Sequence, residues 1–138
     1  MTFSTRITVR GYEIDMLGHV NNTVYFQYGE HARWECLRAA GVSPDDLMKQ
    51  ETAPVVLETT IRYHRELRLG DEVEVTCAFE YGEGKTFAYR QELRRADGKL
   101  AAEMTGVAGI MDLRARRLLD DPRARWRELA SDPGPLGL

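Results

Sequence analysis

A carboxylate, an imidazole and two amides occur within the short segment from Asp15 to Asn22. Gly18, His19 and Asn21 lie between these two residues. An ionised carboxylate can attack a carbonyl carbon or activate a water molecule for that attack. Backbone N–H groups at the start of a helix can bind the oxyanion that forms, because they lack acceptors within the helix. The segment therefore contains the minimal equipment for attack on a carbonyl group.

A long helix is predicted to position these groups, over residues 22–40. Side chains with near-helical spacing support it: Val24, Tyr25, Tyr28, Ala32, Cys36 and Ala39. Because an Asn before a helical run is a good N-cap, Asn21 is predicted to cap the helix and to hold the loop, with Asn22 at the helix start. Gly29 lies in the middle of this helix, where we expect close approach to a sheet or a ligand.

Alternation of apolar and polar residues predicts antiparallel β-strands over most of the remaining chain. In the second strand, Val55, Leu57 and Tyr63 are predicted to share one face. The predicted strands cover residues 4–10, 53–64, 72–81, 87–93 and 99–112. One helix and these strands bury their apolar faces most economically if the sheet wraps around the helix. The fold class is therefore predicted to be α+β, with two layers.

The chain of 138 residues has the usual size of one domain. Residues 1–130 are predicted to form that domain, and residues 121–130 to form a short helix near its end. Residues 131–138 are rich in Pro and Gly and are predicted to be a flexible tail.

The charge balance of 19 basic and 22 acidic residues gives a net charge of −3. This balance argues against general nucleic-acid binding, which needs a basic face. No apolar run approaches the roughly 20 residues that span a bilayer, and the N-terminus lacks the apolar segment of a secretory signal. We therefore expect a cytoplasmic protein without a membrane partner.

Neither the cysteines nor the histidines have the spacing of a metal site. Cys36 falls on the predicted helix and Cys77 on the apolar face of a strand, so both are expected to be buried thiols in a reducing compartment. His19, His31 and His64 lack acids or thiols at ligand spacing, and no metal is expected.

The order Asp-x-x-Gly-His-Val-Asn-Asn-x-x-Tyr-Phe from position 15 resembles the signature of hotdog-fold acyl-CoA thioesterases of the 4-hydroxybenzoyl-CoA thioesterase type. The segment from Tyr63 to Leu67, followed by Gly70 and Asp71, also looks like a strand end of that family. The resemblance extends to about residue 113. It implies an antiparallel sheet wrapped around one long central helix. It also implies side-by-side homodimers, often paired into homotetramers, with active sites at the subunit interface.

The resemblance implies hydrolysis of an acyl-CoA thioester to a carboxylic acid and coenzyme A, with no further cofactor. Asp15 would act as nucleophile or general base, and the backbone N–H of Asn22 would bind the thioester oxygen. His19 would either orient substrate and water or hold the loop through a carbonyl. Gly18 would supply backbone freedom or close approach. Tyr25 would line the acyl pocket or pack in the core.

Further residues are expected to bind the rest of the substrate. Lys85 and Thr86 open a strand that the resemblance places near the coenzyme A nucleotide, and a solvated turn is the alternative that stays open for them. Tyr63 and Arg65 belong to the matching strand end. Glu30 is a helix carboxylate of the kind that some hotdog thioesterases use instead of a loop aspartate, but because Asp15 is present it is expected to be a polar residue of the helix face or of an interface. Two other functions stay open at this point, namely hydrolysis of acyl-carrier-protein thioesters and non-catalytic binding of acyl-CoA.

Overall fold

A computed structural model describes residues 2–138, and it contains one antiparallel sheet that packs against one long helix. The predicted arrangement of a sheet around a helix is confirmed. The sheet has the order β1-β3-β4-β5-β2, and a short β6 also pairs with β5. Its strands are β1 (Phe3–Thr8), β2 (Thr52–Tyr63), β3 (Glu72–Tyr81), β4 (Thr86–Arg95), β5 (Leu100–Asp112) and β6 (Arg117–Leu118). The bounds of the five long strands differ from the predicted ones by two residues at most.

The long helix, α1, runs from Val24 to Ala39 and buries the predicted face. Its buried side chains follow helical spacing and include Tyr25, Tyr28, Ala32 and Cys36. Gly29 lies close against the sheet, because a Cβ there would lie 2.6 Å from Met104 Cε. The Gly29 carbonyl also accepts a 2.9 Å hydrogen bond from Gln91 Nε2 of β4. The expectation of close approach to the sheet is therefore confirmed.

The predicted face of β2 is wrong in its first half, because a bulge interrupts the alternation. Val56 pairs with Ala108 and Glu58 pairs with Val107, which leaves Leu57 without a partner on β5. An extra residue in one strand reverses which side chains face the core. Val56 therefore shares the helix-facing side with Thr59, Ile61 and Tyr63, instead of Val55 and Leu57.

Two short helices frame the sheet. Helix α2 (Pro44–Lys49) was not predicted, although its start carries a capping box. Ser43 Oγ accepts from the Asp46 backbone N–H at 3.1 Å, and the Asp46 carboxylate accepts from the Ser43 N–H at 3.3 Å. Helix α3 (Pro122–Leu129) lies within the predicted range. Within residues 2–138, no helix has the length and apolar character needed to cross a membrane.

The expectation of a flexible tail over residues 131–138 is corrected, because these residues pack against the core. Leu136 lies in a 3₁₀ turn and is fully buried. Its carbonyl accepts a 2.9 Å hydrogen bond from the Tyr81 hydroxyl. The Pro135 carbonyl accepts from Cys36 Sγ at 3.2 Å. Apolar burial outweighs the Pro and Gly content that suggested a frayed end.

Candidate active site

The Asp15 loop is a closed structure between β1 and α1. Ile14 and Val20 form an isolated antiparallel bridge, and the Asp15 N–H donates to the His19 carbonyl at 3.0 Å. The Gly18 N–H donates to the Asp15 carbonyl at 3.1 Å, with Gly18 at φ +86°. A Cβ at Gly18 would meet no atom within 4 Å. This glycine is therefore required for backbone conformation and not for close approach.

The Asp15 carboxylate has one engaged oxygen and one open oxygen. Oδ1 accepts a 2.9 Å hydrogen bond from the Leu17 backbone N–H, which fixes the side chain in an Asx-type turn. Oδ2 accepts no hydrogen bond from residues 2–138. The side chain is 21% exposed, so the carboxylate is held in place through Oδ1 and remains accessible to substrate or water.

The His19 ring contacts both the loop and the carboxylate. Its Nδ1 lies 3.2 Å from the Val20 carbonyl oxygen and 3.9 Å from Asp15 Oδ1. Only the first distance is that of a hydrogen bond, which requires the Nδ1–H tautomer to donate to the carbonyl. The geometry therefore supports the loop-holding role, while the ring remains beside Asp15 as a polar neighbour.

The start of α1 differs from the prediction, because Thr23 occupies the N-cap position. Asn21 Oδ1 accepts from the Thr23 backbone N–H at 2.9 Å and from Thr23 Oγ1 at 2.7 Å. The Asn21 carbonyl accepts from the Val24 N–H at 2.9 Å. Asn21 thus locks the loop as expected, but it is not the cap. The backbone N–H groups of Thr23 and Val24 therefore both donate to Asn21. The Asn22 N–H, in contrast, donates to no acceptor within residues 2–138.

Two tyrosines form the wall beside Asn22. The Tyr63 hydroxyl donates to the Asn22 carbonyl at 2.8 Å, which links the end of β2 to the turn before α1. The Tyr25 and Tyr63 rings meet edge to face with centroids 5.0 Å apart. Tyr25 is 3% exposed, and its ring belongs both to the core and to the edge of the site.

A buried carboxylate below the loop was not predicted from the sequence. Glu13 is 5% exposed and accepts hydrogen bonds from the Arg10 backbone N–H at 2.8 Å and from the Tyr28 hydroxyl at 2.7 Å. Burial, and next the hydrogen bond to Glu13, raise the pKa of Tyr28 well above its ordinary value. A tyrosine on the buried face of a helix needs a polar partner for its hydroxyl, and this was the signal available in the sequence.

These elements enclose an open cleft of about 450 Å³, named here the loop cleft. Predicted site residues that line it are Asp15, His19, Asn22, Tyr25, Tyr63 and Arg65. Arg65 has no acidic partner within 4 Å among the described residues, so its guanidinium is available to a phosphate or a carbonyl. The structure therefore brings together a carboxylate, an open backbone donor and a cation.

Lys85 and Thr86 lie outside the loop cleft of their own chain. Thr86 pairs with Gly109, whereas Tyr63 pairs with Ala102, which lies seven residues earlier on β5. At 3.3 Å per residue, Gly109 and Ala102 are about 23 Å apart along β5, so Thr86 and Tyr63 lie toward opposite ends of this strand. Lys85 instead forms an ion pair across 3.6 Å with an exposed aspartate, Asp120.

Glu30 also lies away from the loop cleft. It faces a second cavity, between α1 and the sheet. Asp15 is the predicted acid of the site and lines the loop cleft, where the other lining carboxylate, Glu66, forms an ion pair with Arg68. Glu30 therefore does not replace Asp15.

Comparison with known proteins identifies relatives that are thioesterases. A model of the thioesterase-like superfamily matches residues 9–129. The long-chain acyl-CoA thioesterase FadM of Escherichia coli is 30% identical over 120 residues, which cover 83% of this chain and 87% of FadM. The chloroplastic acyl-acyl carrier protein thioesterase ATL3 of Arabidopsis thaliana is 38% identical over 69 residues. That match covers 50% of this chain and 36% of ATL3.

A solved structure shares the fold. The hypothetical protein SAV2348 from Staphylococcus aureus, solved in complex with CoA, superposes with a TM-score of 0.82 at 21% identity. The superposition covers 94% of this chain and 86% of that one. At this identity, the likeness is evidence for the shared fold.

Proposed function

The chain belongs to the thioesterase-like superfamily and has the hotdog fold, and we propose that its loop cleft hydrolyses an acyl-CoA thioester to a carboxylic acid and coenzyme A. One observation carries this proposal. Asp15 and Asn22 line the same cleft, and Oδ2 of the first and the backbone N–H of the second have no hydrogen-bond partner among residues 2–138. An acyl carbonyl between them would meet an attacking group on one side and an oxyanion donor on the other.

Asp15 would start the reaction in one of two ways. As a nucleophile, Oδ2 attacks the carbonyl carbon, the C–S bond breaks, and a mixed anhydride forms that water then hydrolyses. As a general base, Oδ2 takes a proton from water, which itself attacks the carbonyl. In both routes the N–H of Asn22 holds the developing oxyanion, and the thiolate of coenzyme A leaves and takes up a proton. A burst of coenzyme A ahead of the free acid would identify the nucleophilic route.

A second copy of the chain is proposed to complete the site. The outer edge of β2 pairs with no strand among residues 2–138, and exposed apolar side chains lie along it or close to it on α1. These include Val56, Leu57 and Trp34, which are 48%, 52% and 39% exposed. A long unpaired edge with apolar neighbours is a template for pairing with another chain. Antiparallel pairing of two β2 strands gives a homodimer.

This pairing accounts for the position of Lys85 and Thr86. In an antiparallel β2 pair, the beginning of β2 in one copy lies beside its end in the other. Thr86 pairs with Gly109, and Gly109 pairs with Val55 near the beginning of β2. Lys85 and Thr86 of one copy would therefore approach the loop cleft of the second copy and bind the distal part of coenzyme A.

The dimer is tested by placing one charged side chain on the outer edge of β2. We expect Leu57→Arg to halve the molar mass measured by light scattering and to reduce thioesterase activity at the same time. Leu69→Arg is the matched control, because Leu69 is 64% exposed and lies outside β2. A monomer that keeps its thioesterase activity would contradict the shared site. The molar mass of the unmodified protein would also show whether two dimers pair into a tetramer.

Substrate class is tested by thiol release from aromatic, short, medium and long acyl-CoAs. We expect release from at least one of them, with equimolar free acid. A folded protein that releases no thiol from any member would contradict the proposal and would favour a non-catalytic acyl-CoA-binding role.

The partial similarity to ATL3 supports a second candidate, an acyl-carrier-protein thioester as substrate. The phosphopantetheine arm is common to both carriers, so Arg65 would serve either one. We expect kcat/KM to be higher for the acyl-CoA when one acyl group is compared on the two carriers. A clear preference for the carrier protein would reverse the assignment.

A further inference from the structure

The Glu13 carboxylate lies beneath the Asp15 loop and outside the loop cleft. It is 5% exposed, and Glu13 does not contribute to the walls of the cleft. Both of its oxygens accept hydrogen bonds, Oε1 from the Arg10 N–H and the Tyr28 hydroxyl, and Oε2 from Arg10 Nη1 at 3.2 Å. A substrate in the cleft does not contact this carboxylate, so any effect of Glu13 on the reaction passes through other residues.

The backbone of Glu13 forms the base of a small hairpin within the loop. The Asn21 N–H donates to the Glu13 carbonyl, and the Asp15 N–H donates to the His19 carbonyl, each at 3.0 Å. An isolated antiparallel bridge lies between these two hydrogen bonds. The arm that begins at Glu13 carries Asp15 two residues later, and the opposite arm ends at Asn21, one residue before Asn22. The same base therefore supports both reacting groups.

The Tyr28 side chain joins this hairpin to α1. Tyr28 lies about one helical turn after the first residue of α1, and its hydroxyl donates to Glu13 Oε1 at 2.7 Å. The hydrogen bond closes a ring of contacts, which runs from Glu13 through the hairpin and Asn22 into α1 and back to Glu13. A closed ring limits how far Asp15 and Asn22 can move relative to each other.

A carboxylate is an unfavourable choice for a purely structural contact at this depth. Transfer of a carboxylate out of water is costly, and an apolar side chain of similar size would avoid that penalty. Hydrogen bonds to a carboxylate are shorter and stronger than those between neutral groups, so they restrict movement more. Since one partner of Glu13 precedes the loop and the other is on α1, the restriction acts on the loop as a whole.

We propose that Glu13 is a positioning residue for the reaction, because its carboxylate, bound by Tyr28, fixes the distance between the Asp15 carboxylate and the Asn22 N–H. This inference rests on the proposed function, in which those two groups act on one carbonyl. A misplacement of about 1 Å can lower a rate about 10²-fold, so an anchor outside the cleft is sufficient to control turnover.

The test compares three variants at a temperature at which circular dichroism shows each of them to be folded. Glu13→Ala should lower kcat about 10²-fold and change KM less than about threefold, because the reacting groups separate while the binding groups remain. Tyr28→Phe retains the carboxylate and should lower kcat about tenfold. Glu13→Gln should keep kcat within about threefold of the unmodified protein, since its amide oxygen accepts the same two hydrogen bonds as Oε1.

Tyr81→Phe is the matched control. The Tyr81 hydroxyl also donates to a buried acceptor, the Leu136 carbonyl at 2.9 Å, but Tyr81 does not line the loop cleft. This variant should retain the kcat of the unmodified protein even where its stability is lower. A double variant of Glu13→Ala and Tyr28→Phe should be no slower than Glu13→Ala alone, because both changes remove the same hydrogen bond.

Amide hydrogen exchange gives a reading that does not depend on catalysis. The N–H groups of Asp15 and Asn21 donate within the hairpin, so their exchange reports how firmly the hairpin is held. We expect NMR to show faster exchange of both groups in Glu13→Ala and Tyr28→Phe, and unchanged exchange in Tyr81→Phe.

Failure of this inference is distinguishable from failure of the proposed function. Asp15-dependent hydrolysis with an unchanged kcat in folded Glu13→Ala and Tyr28→Phe would overturn the positioning role alone, as would an equal loss of kcat in Tyr81→Phe. A Glu13→Gln variant as slow as Glu13→Ala would also overturn it, because the charge and not the hydrogen bonds would then be required. Absence of hydrolysis by the unmodified protein would overturn the reaction, and the exchange rates would still decide whether Glu13 holds the hairpin.

Discussion

The Tyr28 hydroxyl donates a 2.7 Å hydrogen bond to Glu13 Oε1, and the two residues are 2% and 5% exposed. Tyr28 is on α1, and Glu13 lies two residues before Asp15. The Asn21 backbone N–H also donates to the Glu13 carbonyl at 3.0 Å. Through these contacts, the helix and both ends of the loop share one buried anchor, which sets the position of the Asp15 carboxylate.

Tyr28→Phe removes this anchor and is expected to destabilise the protein. The change leaves a buried carboxylate with one partner fewer, which costs about 1–3 kcal/mol in the free energy of unfolding. Urea unfolding followed by circular dichroism measures the loss. Tyr12→Phe is the control, because Tyr12 is 82% exposed. Equal stability of Tyr28→Phe and the unmodified protein would contradict the proposed anchor.

Stability is expected to fall at alkaline pH because burial raises the pKa of Tyr28 and Tyr81 above the ordinary value of 10.0. In the unfolded chain these hydroxyls ionise near pH 10, whereas in the folded protein they keep their protons. Above pH 10 the unfolded state therefore binds fewer protons, and the free energy of unfolding decreases as pH rises. The contribution is fully present below pH 10.

Urea titrations at a series of pH values from neutral to strongly alkaline measure this dependence. Tyr81→Phe should make the alkaline slope shallower, whereas Tyr12→Phe should leave it unchanged. If both variants showed the slope of the unmodified protein, buried tyrosines would not be its source.

Tyr63→Phe is expected to lower activity without unfolding the protein, because Tyr63 is 46% exposed and its hydroxyl holds the Asn22 carbonyl. Loss of one positioning hydrogen bond of about 0.5–1.5 kcal/mol corresponds to a decrease of about 2- to 10-fold in kcat. Steady-state kinetics would separate this effect from KM, which should change less. A variant with altered KM alone would indicate that Tyr63 binds substrate and does not position Asn22.

Neither cysteine is expected to react with a thiol reagent in the folded protein. Both are buried, and the hydrogen bond that the Cys77 thiol donates to Cys36, together with burial, raises the pKa of Cys77 far above its ordinary value. The thiolate is the reactive form, so labelling should require unfolding. Mass spectrometry after treatment with Ellman's reagent, with and without guanidinium, measures this. Rapid labelling of the native protein would contradict the buried placement.

The sequence predicted the parts of the fold that depend on periodic patterns. The buried face of α1 and all ten residues of β3 followed from spacing alone. The bulge at Leu57 was not predictable, because it depends on pairing with β5 and leaves no local sign. Packing of Pro135 and Leu136 was missed for a similar reason, since their partners Cys36 and Tyr81 are distant in sequence.

The candidate site was predicted where its groups are contiguous in sequence. Asp15, His19 and Asn22 line one cleft because a single loop carries them. The N-cap of α1 was predicted at Asn21 but lies at Thr23, two residues later. The Asn21 side chain instead accepts the Thr23 N–H in a local turn. Contributions from other elements, such as the Tyr28 hydroxyl of α1 that holds Glu13 below the loop, require the tertiary structure.

The central claim is that Asp15 performs the chemistry, and the most direct test is kcat/KM of Asp15→Asn for the best acyl-CoA. Asn keeps the Oδ1 acceptor for the Leu17 N–H, so the fold and oligomeric state should be unchanged. We expect a decrease of about 10³-fold or more, by analogy with other essential catalytic carboxylates. Asp45→Asn, at an exposed aspartate of α2, should retain full activity. Activity of Asp15→Asn within about tenfold of the unmodified protein would contradict the account.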